Sequence, residues 1–128
     1  MERRSRYWAS IIYQESAPND WEDRLQDLHI PAIVSPIHDK DVDKNGELKK
    51  KHRHVILLYE SLKSRGQAAE VFSSIGGVGA EAVANMHSYV RYLTHLDSPE
   101  KAQYSSDDVI VFSGANYNSL VAITLAIK

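Results

Sequence analysis

The chain has 128 residues, a net charge of −2 and no cysteine, with 43% hydrophobic and 25% charged residues. That length suits one domain burying roughly two-thirds of its unfolded surface, and the missing cysteines exclude disulfides and thiolate zinc sites. No apolar run reaches membrane-spanning length and no signal-peptide pattern appears, so a cytoplasmic protein with no membrane partner is expected.

Residues 1–5 are polar and basic, and residues 6–15 are aromatic and β-branched, which predicts a first strand. Pro18 and Asn19-Asp20 signal a turn and helix start, and Trp21, Leu25 and Leu28 share one helical face over residues 21–29. Residues 32–39 predict a second strand, bent or at a sheet edge because of Pro36. Asn45-Gly46 then marks a hairpin, since both residues tolerate positive φ, and makes the strand over residues 52–60 an antiparallel neighbour of the second. Residues 55–59 are apolar on both faces, as in a central strand.

A helix is expected over residues 61–74, with Ala68, Val71, Phe72 and Ile75 on one face and Gly76-Gly77 as its stop. Residues 78–84 suit a short strand. Residues 85–96 suit a helix with Met86, Val90, Leu93 and Leu96 along one stripe, and residues 108–113 a last strand. Asn118 or Ser119 would cap a final apolar helix running to Lys128, which either packs on this domain or leads into a longer natural chain. We therefore place the domain at residues 1–117, with 118–128 as a C-terminal helix or the start of a linker to an oligomerisation domain outside the sequence. The chain itself is expected to be a monomer.

His52 and His54 stand two residues apart at the head of the central strand, so their side chains project from the same face. Buried imidazoles need partners, and a metal ion satisfies two at once. The Asn-Gly hairpin brings His38 and Asp41 to the same end, so the candidate metal ligands are His38, Asp41, His52 and His54, with Asp39 and Asp43 as competing carboxylates. Three imidazoles and one carboxylate suit Mn²⁺, Zn²⁺, Co²⁺ or related ions and leave positions open for water or a phosphate oxygen. Tyr92 lies off the core stripe of its helix, on the flank shared with Ser88, Tyr89 and His95. Lys40, Lys44, Lys49, Lys50, Lys51, Arg53, Lys63 and Arg65 hold eight of the fifteen basic residues, so a basic patch can form on a near-neutral domain.

In order along the chain, residues 12–16 (IYQES), 35–41 (SPIHDKD), 52–55 (HRHV) and 92–95 (YLTH) resemble the successive motifs of plasmid rolling-circle replication initiators of the RepB type, within the HUH endonuclease superfamily. The resemblance spans roughly residues 6–113. It implies a ferredoxin-like α+β fold with an antiparallel sheet of about five strands, and a divalent metal at His38, Asp41, His52 and His54, Mn²⁺ first with Mg²⁺, Co²⁺ or Zn²⁺ as alternatives. It implies Tyr92 as the nucleophile that nicks single-stranded DNA at a plasmid origin and keeps a 5′-phosphotyrosine bond, in a bacterial cytoplasm. Related viral initiators carry a lysine three residues after the tyrosine, where this chain has His95.

Candidate contacts to single-stranded DNA at the nick and to the adjacent duplex are Lys49, Lys50, Lys51, Arg53, Lys63, Arg65 and His95. Three rival readings are a non-catalytic nucleic-acid-binding module of the same fold, a metal hydrolase with water as nucleophile, and a structural metal site. His29 and His87 have no evident partners in sequence and are read as structural.

Overall fold

The computed structural model describes residues 3–126. Five strands form one open sheet in the order β4-β1-β3-β2-β5, every neighbouring pair antiparallel. The strands are β1 (Arg4–Tyr13), β2 (Ala32–Val34), β3 (His52–Ser64), β4 (Gly77–Ala82) and β5 (Ile110–Phe112). The helices are α1 (Trp21–Asp27), α2 (Arg65–Ser74), α3 (Met86–Tyr92) and α4 (Tyr117–Ala126). The succession β1-α1-β2-β3-α2-β4, with β1 and β3 central among its strands, is the ferredoxin-like arrangement. The remaining elements extend it to an α+β fold with β5 on the free side of β2.

β3 lies in the middle of the sheet and is buried on both faces. Its alternation decides what each face is made of. Val55, Leu57 and Tyr59 join Trp8, Leu25, Phe72 and Ile75 in a core under α1 and α2. Ile56 joins Ala9, Ile33, Val90, Leu93 and Tyr117 in a second core under α3 and α4. His52 and His54 share the parity of Ile56, so the histidines face the side that carries α3.

The bend expected at Pro36 is present, but β2 is interior, between β3 and β5, not an edge. Proline is tolerated there because the ladder is broken at that point. Val34 pairs with Val55, so an unbroken ladder would set residue 37 against residue 52, yet His38 is the residue that bridges His52. One extra residue is therefore accommodated across positions 35–37, as in a β-bulge. The Ser35 hydroxyl accepts from the His54 amide at 2.8 Å, replacing a regular ladder bond. This slip turns His38 to the same face as His52 and His54.

β1 spans Arg4–Tyr13 and not residues 6–15, β2 ends at Val34 and not at residue 39, and three further boundary shifts have identifiable causes. β3 runs to Ser64, so α2 starts at Arg65 and not at residue 61. Ser64 and Gln67 form a reciprocal capping box that fixes this start. α3 stops at Tyr92, four residues early, because His95 takes a left-handed φ of 58°, and Leu96 is consequently 47% exposed, off the buried stripe. α4 is capped by Asn116, whose side chain accepts from the Ser119 amide, not by Asn118 or Ser119. Tyr117 is buried in the second core, Leu120 and Val121 pack against it, and His87 bonds the Leu120 carbonyl, so the start of α4 docks on this domain. The side chains beyond Val121 and the expected helix end at Lys128 lie outside the described residues.

Candidate metal and tyrosine centre

The hairpin between β2 and β3 delivers the first half of the site. Asp43 builds its turn, accepting from the amides of Asn45 and Glu47, while Gly46 sits at φ 81° and bonds the Asp43 carbonyl. Asp43 is thus spent on the backbone, and Asp41 is the carboxylate that faces inward. His38 Nδ1 lies 2.9 Å from Asp41 Oδ2, and His52 Nε2 lies 3.6 Å from the same oxygen. The ligand atoms of His38, His52 and His54 fall within 4.8 Å of one another, as do those of His38, Asp41 and His95. The structure therefore brings together all four sequence-predicted ligands, with His95 beside them.

The backbone fixes which nitrogens face the centre. A carbonyl only accepts, so His38 Nε2 donates to Leu93 O (2.8 Å) and His52 Nδ1 donates to Lys50 O (2.7 Å). Each ring then presents its other nitrogen unprotonated, the arrangement that orients metal-binding histidines. In neutral His38 this sets a lone pair against the Asp41 carboxylate, a contact that needs a proton or a cation between them. His54 provides the sharper test. Its ring is 5% exposed, and neither nitrogen has a hydrogen-bond partner. An unpaired buried polar group costs about 1–3 kcal/mol, and a cation shared with His38 and His52 would satisfy one nitrogen. By this criterion the residues present fit a divalent ion.

Electrostatics follow from burial. Desolvation, with His38 and His52 adding to it, pulls His54 down to about 3. Burial also lowers His38 against the hydrogen bonds to Leu93 and Asp41. Asp41 is pushed up by burial but held net below the usual carboxylate range by the hydrogen bond from Tyr104 and by the His38 ring beside it. Burial thus favours the neutral His54 and His38 rings beside an ionised Asp41, the protonation states a metal requires.

Tyr92 ends α3 beside these rings. Its ring centroid is 5.3 Å from that of His54 and 5.2 Å from that of His95, and it remains 38% exposed. Burial, then the charges of Asp41 and Glu81, push its hydroxyl above the ordinary phenol value. Tyr89 stands one turn back and is pushed up further, chiefly by burial.

The remaining predicted residues separate into groups. Lys49 and Lys50 line the cleft that holds Asp41, His52 and Tyr92, Lys50 in an ion pair with Glu15, while the exposed Lys51 lines a neighbouring cleft with Gln14 and Glu15. His95 is buried within the centre and donates from Nδ1 to Ala102 O (2.8 Å), so it is no surface contact. Arg53 points through the sheet to the α1 face, where its guanidinium lies over Trp21 and bonds Ser35 O. Lys63 and Arg65 are not brought near the histidines. They sit at the far end of β3, where Lys63 pairs with Ser5, eight β1 residues from the Tyr13–His52 pair, or roughly 25 Å at about 3.3 Å per strand residue, and they pack over Tyr59 and Trp8.

Two residues escaped sequence reasoning. Tyr104 donates to Asp41 Oδ1 at 2.6 Å and stacks on His38 with centroids 4.4 Å apart. Lys101 places its ammonium 5.6 Å from the Tyr92 ring centroid. Both come from the polar connection after α3, which has no periodicity and no motif, so nothing in their neighbourhood signals the contact.

Comparison with known proteins agrees in extent with this architecture. Residues 1–118 match the family described as plasmid replication protein, origin binding domain. The chain is 39% identical over 126 residues to a replication protein RepB from Lactiplantibacillus plantarum, covering 98% of the chain and 57% of the relative. It is 36% identical over 121 residues to a replication protein from Staphylococcus aureus, covering 94% and 61%. It is 27% identical over 135 residues to a replication protein RepB from Streptococcus agalactiae, covering 98% and 64%. The chain thus spans about three-fifths of the length of these curated relatives. Among the described residues no helix is long and apolar enough to cross a membrane.

Proposed function

The chain belongs to the plasmid replication protein, origin binding domain family, and on that premise we propose that it binds plasmid origin DNA and nicks one strand through Tyr92 to start rolling-circle replication. The observation that carries this reading is the contact between a buried His54 ring, whose nitrogens have no hydrogen-bond partner, and a partly exposed tyrosine at the rim of a three-histidine centre. A non-catalytic binding module has no use for such an arrangement. A purely structural metal site gains nothing from an accessible phenol beside it.

Tyr92 Oη attacks phosphorus, a Tyr–O–P bond forms and the P–O3′ bond breaks. The phenol proton leaves and the departing 3′-oxygen gains one, so the products are a 5′-phosphotyrosine and a free 3′-OH able to prime synthesis. The ester keeps the energy of the broken bond, which permits later rejoining without ATP. His38, Asp41, His52 and His54 would hold a divalent ion, Mn²⁺ first and Mg²⁺, Co²⁺ or Zn²⁺ as alternatives, which when bound would supply positive charge against a non-bridging phosphate oxygen and the developing phenolate. Tyr104 holds Asp41 in place through its hydroxyl, and the Leu93 and Lys50 carbonyls hold the rings. The exposed Lys49, with Lys101 over Tyr92, would meet the phosphate backbone at the centre. Attack needs the scissile phosphate free of the duplex, so the target is single-stranded or extruded DNA.

The test is incubation with Mn²⁺ and single-stranded origin-like oligonucleotides, followed by denaturing gels. A DNA-shifted protein band is expected from the native chain and none from Tyr92→Phe. Cleavage without a covalent band would support a water nucleophile instead.

A further inference from the structure

A cleft of about 650 Å³ opens beside Tyr92 between β4 and α3, within the roughly 300–1,000 Å³ of small-ligand pockets. Its floor is aliphatic, from Ala9, Ile11 and Ala80, and Tyr89 forms a wall with its ring 5.9 Å from that of Tyr92. Its outer polar groups are Glu81, Asn85 and Ser88; Ser10 also lines it but donates to the Val78 and Gly79 carbonyls, His54 marks where the cleft meets the histidine centre, and neither Lys nor Arg lines it. The clefts on the other sides of Tyr92 are different. One of about 410 Å³ carries Lys49 and Lys50 with Asp41, and one of about 140 Å³ carries Lys40, Lys49 and Lys101 with Asp41 and Glu100, so lysines outnumber carboxylates in each.

Tyr92 therefore stands between a cationic side and an apolar, acidic side. A phosphate backbone favours the first and is repelled by Glu81 on the second. What suits an aliphatic floor, an aromatic wall and a carboxylate acceptor is a nucleobase turned away from its backbone. We propose that the β4–α3 cleft binds one base of the strand whose phosphate lies at Tyr92, and that Glu81 selects bases that present N–H donors. The placement of DNA rests on the nicking reading above; the chemistry of the pocket does not.

Glu81 is exposed, has no hydrogen-bond or ion-pair partner among the described residues, and is close enough for its charge to be felt at the hydroxyls of both Tyr89 and Tyr92. An ionised carboxylate only accepts. Guanine offers it two adjacent donors, the ring N1–H and the 2-amino group. Adenine and cytosine offer one amino group each. Thymine offers one N–H flanked by two carbonyl oxygens that repel a carboxylate. The expected order is guanine, then adenine and cytosine, then thymine, with about a five- to 150-fold span for a bidentate pair.

The experiment has two arms. In metal-free buffer, oligothymidine octamers, either unsubstituted or carrying one central guanine, adenine or cytosine, are titrated into the ¹⁵N-labelled chain. Base-dependent amide shifts at Ala80, Glu81, Ser88 and Tyr89 are expected, with the guanine octamer binding at least about five-fold tighter than oligothymidine. Glu81→Gln and Glu81→Ala, substitutions at an exposed edge-strand position, should bring that ratio within two-fold. Shifts confined to the lysine side, or the same ratio in all three proteins, would overturn the pocket. In the second arm single-stranded origin-like oligonucleotides are given Mn²⁺ and scored for covalent adduct. Adduct without shifts at the pocket removes this inference and leaves the nicking reading, while pocket shifts without adduct do the reverse.

Discussion

The two faces of β3 solve burial in opposite ways. Toward α1 and α2, Val55, Leu57 and Tyr59 meet Trp8, Phe72 and Ile75 and fill the space with carbon. Toward α3, Ile56 does so with the partly buried Leu58 beside it, and the next two positions of the same parity toward the start of the strand are His54 and His52. The first face gains stability with every contact. The second gives some up, because it seats imidazoles where aliphatics would pack and leaves one of them without a partner. Such local conflict between sequence and burial is expected where function, not folding, sets the residue.

The largest effect that would sharpen this contrast is on the packed face. Phe72 is fully buried on α2, and Phe72→Ala should cost about 3–5 kcal/mol of unfolding free energy by urea denaturation. Below its lowered melting point the variant should still form the Tyr92 adduct, because no part of α2 touches the centre. Loss of adduct by a fully folded Phe72→Ala chain would mean that the faces are not independent.

The histidine face should respond to acid. His54 has a folded value of about 3 against an unfolded value near 6.5, and His38 is shifted in the same direction. Well above pH 6.5 neither state of His54 is protonated and stability is unaffected. Between 6.5 and 3 the unfolded chain takes up a proton that the folded chain refuses, so stability falls as pH falls. From pH 6.5 to 5 the loss through His54 is about 2 kcal/mol, at 1.36 kcal/mol per unit. Melting of metal-free protein across this range measures it. The slope should shrink in His54→Leu, and an unchanged slope would remove His54 as its source.

A smaller effect is the sign of His54→Leu at neutral pH. Replacing an unpaired buried imidazole by an aliphatic of similar size should stabilise the metal-free chain by about 1–2 kcal/mol, while adduct formation with Mn²⁺ disappears. Destabilisation instead would show that His54 is held by packing worth more than its orphaned nitrogens cost.

The packed face was legible in the sequence and the histidine face only partly. The stripe Ala68, Phe72, Ile75 and the two-sided apolar run of β3 announce burial by period alone. The hairpin was legible because Asn45-Gly46 demands positive φ, and the His-x-His pair because a two-residue spacing has one meaning in a strand. The bulge at Ser35-Pro36 was not. Proline signals a break, but the extra residue that turns His38 inward is settled only by pairing with β3. Ser64-x-x-Gln67 was a capping signal available in the sequence, outweighed by the polar run before it. Tyr104 and Lys101 reach the centre only after the chain has closed on itself.

The smallest expected effect separates the two tyrosines of α3. Tyr89 and Tyr92 lie three residues apart on one flank, so helix geometry alone permits either as nucleophile. Their surroundings do not. The Tyr89 ring is 6.5 Å from His54 against 5.3 Å for Tyr92. Tyr92 lines the clefts that hold Asp41, His52 and the lysines, and Tyr89 lines neither. Burial, then Glu81 and Tyr92, also hold the Tyr89 hydroxyl well above the ordinary phenol range, so its phenolate is the harder to form. Tyr89→Phe keeps the ring that walls the β4–α3 cleft and removes only the hydroxyl. Adduct yield should fall by less than about ten-fold, the scale of one modest hydrogen bond, where Tyr92→Phe falls to background. A Tyr89→Phe chain that is as inactive as Tyr92→Phe would require both hydroxyls in the chemistry, and the apolar side of Tyr92 would then belong to the reaction and not to recognition.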